Sequence, residues 1–462
     1  MPIRRRSYSR SSDGKSEPTN YSRTLKFVST NRLRFAPAPT GSLHIGSART
    51  ALFNWLYARH TEGELVLRIE DTNAELARPE LIDNIHRSLE WLQIDFDGEP
   101  VRQSERTDLY NDAVEQWLAD GLAYVDDGAV RFRVPNEGTT SWEDAVRGNV
   151  VFENRHIEDF VVRRSDGSAT FFTANAVDDL DLEITHVVRG EDLVNVTPKV
   201  IMLRQALGAT DVPEFAHLPL IVNEQRKKLS KRRDDVALEN YRDRGVLATA
   251  MINYLALLGW GPPDDIEIRP VEEIIELFEL DDVNPSSAMF DAKKLEAING
   301  EYLRAMNPQD FTQALQPWIE DQPWSDMVDP TRLAKVAPLV QERTRVLSEA
   351  PPQLDFFFME SPEIDHDAWE KIMLKKEAAL ILESVHKVFV DTDWEVDVLH
   401  DALRTIGESH QMKLGKAQAP VRVAVTGRSV GPPLFESMHA LGRETVLARI
   451  AVARQMLADA QK

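Results

Sequence analysis

The sequence predicts an α/β protein: an open parallel sheet flanked by helices, interrupted by an insertion and followed by a helical C-terminal region. Three observations predict it. Strand-like and helix-like segments alternate between residues 33 and 92. Four short motifs of charged residues, glycine and histidine sit beside predicted strand ends or helix starts. After Met306 the apolar residues recur almost wholly at helical spacing.

Leu33 to Phe35 reads as a short strand, and the two prolines and one glycine of Ala36 to Ser42 read as a rigid turn. From Ile45, Ala48, Ala51, Leu52, Trp55 and Leu56 follow helical periodicity. Leu65 to Ile69 is a predicted strand. Pro79 then opens a helix carrying Ile82, Ile85, Leu89 and Leu92 on one face, because proline suits a first helical turn. Strand, helix, strand, helix begins an open parallel α/β sheet. Between Asp95 and Gly167 the pattern turns to mixed helix and short strands, with Tyr110 to Leu118 helical and Val130 to Val134 and Phe160 to Arg164 extended, so this region reads as an insertion. Strand character returns at Ile184 to Val188, and a helix runs from Pro198 to about Leu207. Leu238 to Arg304 reads as helical, and beyond Met306 the clearest helices are Ala378 to Phe389 and Arg443 to Met456.

A chain of 462 residues with 42% apolar composition can bury sizeable cores. The longest apolar candidate, Ala250 to Trp260, contains Asn253 and falls short of the roughly 18 residues of a membrane span, so it reads as a buried helix. With 54 Lys and Arg against 76 Asp and Glu, the net charge of −22 requires any RNA-binding cations to gather on one face. The absence of cysteine excludes disulfides, thiolate catalysis and cysteine-ligated zinc, and fits a reducing compartment. In the first thirty residues, Arg4, Arg5, Arg6, Arg10, Lys15, Arg23 and Lys26 face only Asp13 and Glu17 among many serines. No apolar core of a secretory signal and no amphipathic period is present there, which favours a disordered tail over a transit peptide.

Each of the four motifs supports two readings. Pro37-Ala38-Pro39-Thr40-Gly41-Ser42-Leu43-His44-Ile45-Gly46-Ser47 lies between a strand and a helix. It is either a phosphate site, with helix N–H groups, a donating His44 and glycines that admit a nucleotide, or a stiff turn with a surface histidine. Lys228-Leu229-Ser230-Lys231-Arg232, flanked by Lys227 and Arg233, is either a mobile phosphate-binding loop or a solvated charge run. Arg68-Ile69-Glu70-Asp71-Thr72 follows a strand, where doubly wound sheets bind ligands; Glu70 could pair with an ammonium, or the segment is ordinary turn chemistry. In Val188-Arg189-Gly190-Glu191-Asp192, Arg189 either holds a carboxylate through its guanidinium fork or pairs internally with Glu191 or Asp192.

In this order, the motifs resemble those of the class I aminoacyl-tRNA synthetases. His44 to Gly46 matches the first three letters of the HIGH signature, and Lys228 to Arg232 matches KMSKS in the form KLSKR. Arg34-Phe35-Ala36-Pro37, Ser47 through Leu56, Arg68 to Thr72, Thr185 to Asp192 and Asn253 to Trp260 are similar to the bacterial glutamyl-tRNA synthetases. Pro433 to Ser437 and Leu441 to Glu444 are similar to that family's all-helical anticodon-binding domain, and the resemblance spans residues 32–462. It implies a division into a basic tail (1–31), a Rossmann-type catalytic domain in two halves (32–94 and 175–235), an inserted acceptor-stem-binding subdomain (95–174), a helical stem-contact domain (236–315) and an all-α anticodon-binding domain (316–462). It also implies a cytoplasmic monomer that joins L-glutamate to tRNA(Glu) with ATP and Mg²⁺, with tRNA(Gln) left open as a second acceptor. Catalysis would fall to His44, Lys228 and Lys231. ATP would meet His44, Gly46, Lys228, Leu229, Ser230, Lys231 and Arg232. Glutamate would meet Arg34, Ala36, Ala38, Glu70, Phe171, Asn175 and Arg189. No metal ligand is assigned.

The chain departs from the family pattern at three positions. Ala38 stands where serine is usual, Phe171 where tyrosine is usual, and Leu193 where histidine or tryptophan is usual. Tyr124-Val125-Asp126 stands where some members begin a set of zinc-binding cysteines, so no zinc is expected. The alternative function is an inactive or altered-specificity paralogue that binds tRNA.

Overall fold

The structure, a computed structural model, describes residues 31–73, 77–229 and 235–460. The basic tail and Ser230, Lys231 and Arg232 lie outside these residues.

Strand β1 (Arg32–Phe35) pairs in parallel with β2 (Glu64–Ile69), in register from Arg32 opposite Glu64 to Phe35 opposite Leu67. The crossover is helix α1 (Ile45–His60). Helix α2 (Pro79–Trp91) leads from β2 to β3 (Val101–Arg102), which pairs in parallel with β2. As the sequence predicts, Pro79 occupies the first turn of α2. Helix α3 (Thr107–Ala119) and an antiparallel sheet of β4 (Ala123–Asp126), β5 (Ala129–Phe132) and, further on, β8 (Phe160–Arg163) build a separate small core around Trp117 and Phe132.

Between β5 and β8 lies a hairpin that periodicity did not reveal, β6 (Thr139–Asp144) and β7 (Gly148–Glu153). Helix α4 (Phe171–Asp181) follows, then β9 (His186–Gly190), α5 (Thr197–Ala206) and β10 (Glu214–Leu218). β10 pairs in parallel with β9 along its length and with β6 at Phe215 opposite Asp144. The first sheet and the mixed sheet of β7, β6, β10 and β9 meet edge to edge, where the Thr185 amide donates to the Arg32 carbonyl (2.9 Å) and the Arg32 amide to Thr185 Oγ1 (2.7 Å). Thr185 is thereby a junction, and the strand expected over Ile184 to Val188 runs instead from His186 to Gly190.

α1 is buried on nearly every side, because helix 248–256 covers the face turned away from the sheet. Asn54 ties it to β9 by donating to the Val188 carbonyl (3.1 Å). Arg49, also buried, donates to the carbonyls of Leu258 (3.0 Å) and Pro219 (2.5 Å), joining α1 to the helical region and to the segment after β10. Within residues 238–304 the expected helix is broken into Leu238–Asp243, Ala248–Ala256, Val271–Leu277 and a last helix from Ala292, with irregular stretches between them and a short strand at Ala288–Met289 that pairs with Ile221–Val222.

The helices beyond Leu303 enclose a second large core. It meets the first at a backbone seam: the Leu347 amide donates to the Gly245 carbonyl (3.2 Å), and Asn299 Nδ2 donates to the Arg345 carbonyl (2.6 Å). Gly245 has φ +85°, and a Cβ there would stand 2.6 Å from Leu347 Cβ and 2.7 Å from its amide nitrogen. No helix among the described residues is long and apolar enough to cross a membrane.

Gly427 ends helix 414–426 in the left-handed region (φ 77°), and a Cβ on it would sit 2.0 Å from the Glu363 carbonyl oxygen. Gly427→Ala adds left-handed strain and a backbone clash, so a loss of about 2–4 kcal/mol is expected. Urea unfolding followed in the helical region checks this; a loss under about 0.5 kcal/mol, the range of neutral surface changes, contradicts it.

Candidate active site

A cavity of about 530 Å³ opens at the carboxyl ends of β1, β2 and β9 and at the N-terminus of α1. Such strand ends and helix starts are where open α/β sheets bind ligands. Every described residue assigned from sequence lines it. From β1 and the following turn come Arg34, Ala36 and Ala38; from the start of α1, His44 and Gly46; from the end of β2, Glu70. α4 contributes Phe171 and Asn175, β9 contributes Arg189, and the segment after β10 contributes Lys228 and Leu229.

The α1 end is shaped by its own cap. His44 is the N-cap residue, and its Nδ1 accepts from the Ser47 amide (3.2 Å) while Nε2 lies 3.1 Å from Ser47 Oγ. The ring folds over Gly46, where a Cβ would stand 3.2 Å from it, so a larger residue would press the imidazole aside. No acidic side chain occupies the first turn of α1 to offset its partial positive charge. The Leu43 turn is fixed from outside by Asn84 of α2, whose Oδ1 accepts from the Leu43 amide (3.0 Å).

The KLSKR segment is anchored on both flanks. On one side the Leu229 amide donates to the Ile221 carbonyl (3.2 Å) and the Asn223 amide to the Lys227 carbonyl (2.9 Å). On the other, the Ile45 amide donates to the Val236 carbonyl (3.0 Å) and the Leu238 amide to the Leu43 carbonyl (3.1 Å), stitching this segment to the His44 turn. Lys228 Nζ pairs with Asp192 (3.2 Å), both half-exposed at the cavity mouth.

The floor is a buried ion network that single motifs could not reveal. Asp179 of α4 accepts from Arg34 Nε (3.1 Å) and Arg68 Nη1 (2.5 Å). Arg68 Nη2 also donates to Glu70 Oε1 (3.1 Å) and Asn175 Oδ1 (2.8 Å), and Asn175 Nδ2 donates to the same Glu70 oxygen (3.1 Å). Burial alone would raise the Asp179 carboxyl, but Arg34 and Arg68 hold it well below the usual range. Burial pushes Glu70 up, against the pull of Arg68 and Arg34. Asp71 turns away to accept from the Ser104 amide (2.8 Å) and Arg102 Nε (2.9 Å), so its bonds reach residues distant in sequence rather than a local turn.

Arg189 pairs with neither candidate partner, since Glu191 is taken by Arg147 and Asp192 by Lys228. Among the described residues it has no carboxylate within 4.0 Å; its Nη2 donates to Thr197 Oγ1 (2.7 Å) and its Nε to His217 Nε2 (3.2 Å). Burial, and then the nearby Arg34, pull it down to about 9, which leaves it charged at neutral pH. The floor therefore gathers the guanidiniums of Arg34, Arg68 and Arg189 with the carboxylates of Glu70, Asp179 and Asp178, the last 4.0 Å from Arg68 and shared with Arg106, and Arg189 is the guanidinium among them left without a carboxylate. Buried charge is costly unless paired, so the site is built to receive an anion.

Among the described residues, no three His, Asp or Glu side chains gather to hold a metal. A Mg²⁺ ion would find no preformed cage of such side chains among the described residues.

A family model for the class I tRNA synthetases (E and Q), catalytic domain, matches residues 30–129 and 126–297, and one for an anticodon binding domain matches residues 310–454. The glutamate–tRNA ligase of Frankia casuarinae is 50% identical over 463 residues, covering 92% of this chain and 98% of that protein. That of Salinispora arenicola is 46% identical, covering 93% and 100%. A glutamate tRNA ligase from Elizabethkingia meningosepticum, solved in complex with its amino acid, is 28% identical with a TM-score of 0.81 and covers 93% of this chain and 100% of that one. The parallel sheet, the motif-lined cavity, the helical C-terminal region and these likenesses together show that the chain belongs to the class I tRNA synthetases, among the glutamate–tRNA ligases.

Proposed function

We propose that the cavity binds L-glutamate on its ion-network floor and ATP along the α1 N-terminus, and that the enzyme forms glutamyl-adenylate and passes the glutamyl group to the terminal ribose of tRNA(Glu). The observation that carries this reading is the unpaired guanidinium of Arg189. Zwitterionic glutamate brings one negative charge more than positive, which compensates the Arg189 guanidinium. Both described contacts of Glu70 fall on Oε1, so its other oxygen suits the substrate ammonium. Ala36, Ala38, Phe171 and Asn175 complete the amino-acid end. Arg34 and Arg189 receive the carboxylates.

The chemistry needs no protein nucleophile. The glutamate α-carboxylate attacks the α-phosphorus of ATP, the bond to the bridging oxygen breaks, and pyrophosphate leaves. A ribose hydroxyl of the tRNA then attacks the mixed anhydride, releasing AMP. Catalysis is positioning and stabilisation of charge on the phosphoryl oxygens. The α1 amides, His44, Gly46 and Lys228 supply this together with Leu229, Ser230, Lys231 and Arg232. We place the acceptor end of the tRNA on the inserted region, its stem on residues 236–315 and its anticodon on the helices from residue 316, with the enzyme acting as a cytoplasmic monomer.

The test is aminoacylation of purified tRNA(Glu) and tRNA(Gln) with labelled glutamate and glutamine. Glutamate should be joined to tRNA(Glu), and glutamine to neither tRNA. Binding of tRNA(Glu) with no charging would instead identify an inactive paralogue. Charging of tRNA(Gln) with glutamate would widen the acceptor range without changing the amino-acid assignment.

A further inference from the structure

Behind Arg189 lies a buried chain of polar groups reaching from the inserted hairpin to the cavity. Asp144 ends β6 and His217 lies on β10, and both side chains are fully buried. One Asp144 oxygen accepts from the amides of Val146 (3.2 Å), Arg147 (3.0 Å) and His217 (3.1 Å). The other accepts from Trp142 Nε1 (3.2 Å) and contacts His217 Nδ1. Burial would raise this carboxyl, yet the bonds from His217 and its neighbours hold it below the usual range, so it is an ionised acceptor. The proton on the imidazole must therefore sit on Nδ1, which leaves Nε2 as a bare lone pair. Arg189 Nε donates to that lone pair at 3.2 Å, while Thr197 Oγ1 lies 3.0 Å from it and donates to the Leu193 carbonyl (3.2 Å).

We propose that His217 is a positioning residue for the amino-acid site: Asp144 fixes its tautomer, and its Nε2 aims the Arg189 guanidinium at the substrate carboxylate. This rests on the reading that Arg189 receives a carboxylate of glutamate. The ring is itself clamped, parallel to Phe215 at 5.8 Å between centroids and 6.0 Å from Trp142. A second proton on His217 would turn an N–H toward the N–H of Arg189 and place two cations in contact. The charged groups facing the ring are Asp144 on β6, Arg147 in the β6–β7 turn, whose Nε donates to the His217 carbonyl (3.4 Å), and Arg189 on β9. Burial, then Arg189 and Arg147, outweigh Asp144 and hold the imidazole below its ordinary value, so the neutral form prevails at physiological pH.

The experiment is ATP–pyrophosphate exchange by the full chain with tRNA(Glu) present, with glutamate and ATP titrated separately. His217→Asn keeps a donor near the Nδ1 position but is too short to offer an acceptor to Arg189. It should raise the glutamate KM by about 10- to 100-fold, the scale of one hydrogen bond to a charged group, with the ATP KM unmoved. His217→Gln can place its amide oxygen near the Nε2 position and should keep the glutamate KM within about threefold of the parent. In the parent, the glutamate KM should be flat at neutral pH and rise only on the acid side of the ordinary imidazole range, where a lowered imidazole takes its second proton; the Gln variant should lack that rise. Equal KM changes in the two variants, a parallel rise in the ATP KM, or an acid limb that survives in His217→Gln would overturn the proposal. Should His217→Asn not fold, the Gln variant and the acid limb still decide. Arg189→Gln, run alongside, separates the failures. If it leaves the glutamate KM unchanged, the reading of the cavity is wrong; if only the His217 variants are silent, the relay is wrong.

Discussion

Arg189→Gln should lower kcat/KM for glutamate by roughly 10²- to 10³-fold, the scale of truncating one partner of a buried charge pair. It should also narrow the preference over glutamine. Arg34 and Arg68 are paired with Asp179, and Arg68 also with Glu70 and Asp178, so Arg189 is the one guanidinium of the floor without a carboxylate among the described residues. Glutamate supplies the missing anion. Glutamine would leave a buried cation uncompensated and aim amide N–H groups at a donor. A site built for one polar partner rejects its mismatch by roughly 10⁴-fold or more, so that is the selectivity expected of the parent. With Arg189 replaced by a neutral amide, that uncompensated charge disappears and with it the penalty on glutamine. ATP–pyrophosphate exchange with both amino acids, in parent and variant, gives the two ratios. A parent that activates both equally, or a variant with the parent's ratio, refutes the assignment of this floor to glutamate.

Lys231→Ala should lower kcat by roughly 10²-fold or more with little change in the ATP KM, because a donor aimed at developing charge acts in the transition state rather than in binding. Lys231 lies outside the described residues, and the case for it is made by its flanks. Leu229 is bonded to Ile221 on one side, and on the other Val236 is bonded to Ile45, next to His44. An effect on the ATP KM alone, with kcat intact, would refute a transition-state role.

Much of this site was legible because its residues come in short runs beside strand ends. His44 with Gly46, Glu70 and Arg189 each follow a run of apolar residues that reads as a strand or precede one that reads as a helix. What stayed hidden depends on pairings distant in sequence. Asp179 meets Arg34 across 145 positions and His217 meets Asp144 across 73, and no periodicity encodes either. Asp179 did leave a trace: with Asn175 and Asp178 it puts polar groups on the buried side of α4. The β6–β7 hairpin was missed because polar residues such as Glu143, Asn149 and Glu153 fill its outward positions and dilute the apolar signal. Thr185 was read as part of a strand, although its side chain and amide serve the junction with β1.

The seam at Gly245 has a consequence for modularity. Its bonds end on the Gly245 and Arg345 carbonyls and the Leu347 amide, groups that every sequence possesses. The joint between the two cores is therefore carried largely by backbone groups, with side chains supplied by Asn299, by Trp318, whose Nε1 donates to the Asp243 carbonyl (3.3 Å), and by Leu247, which packs against both cores. A helical C-terminal unit could diverge over most of its surface and still keep this joint, provided that these few side chains stay and the hydrogen on the α-carbon of residue 245 is never replaced by a methyl group.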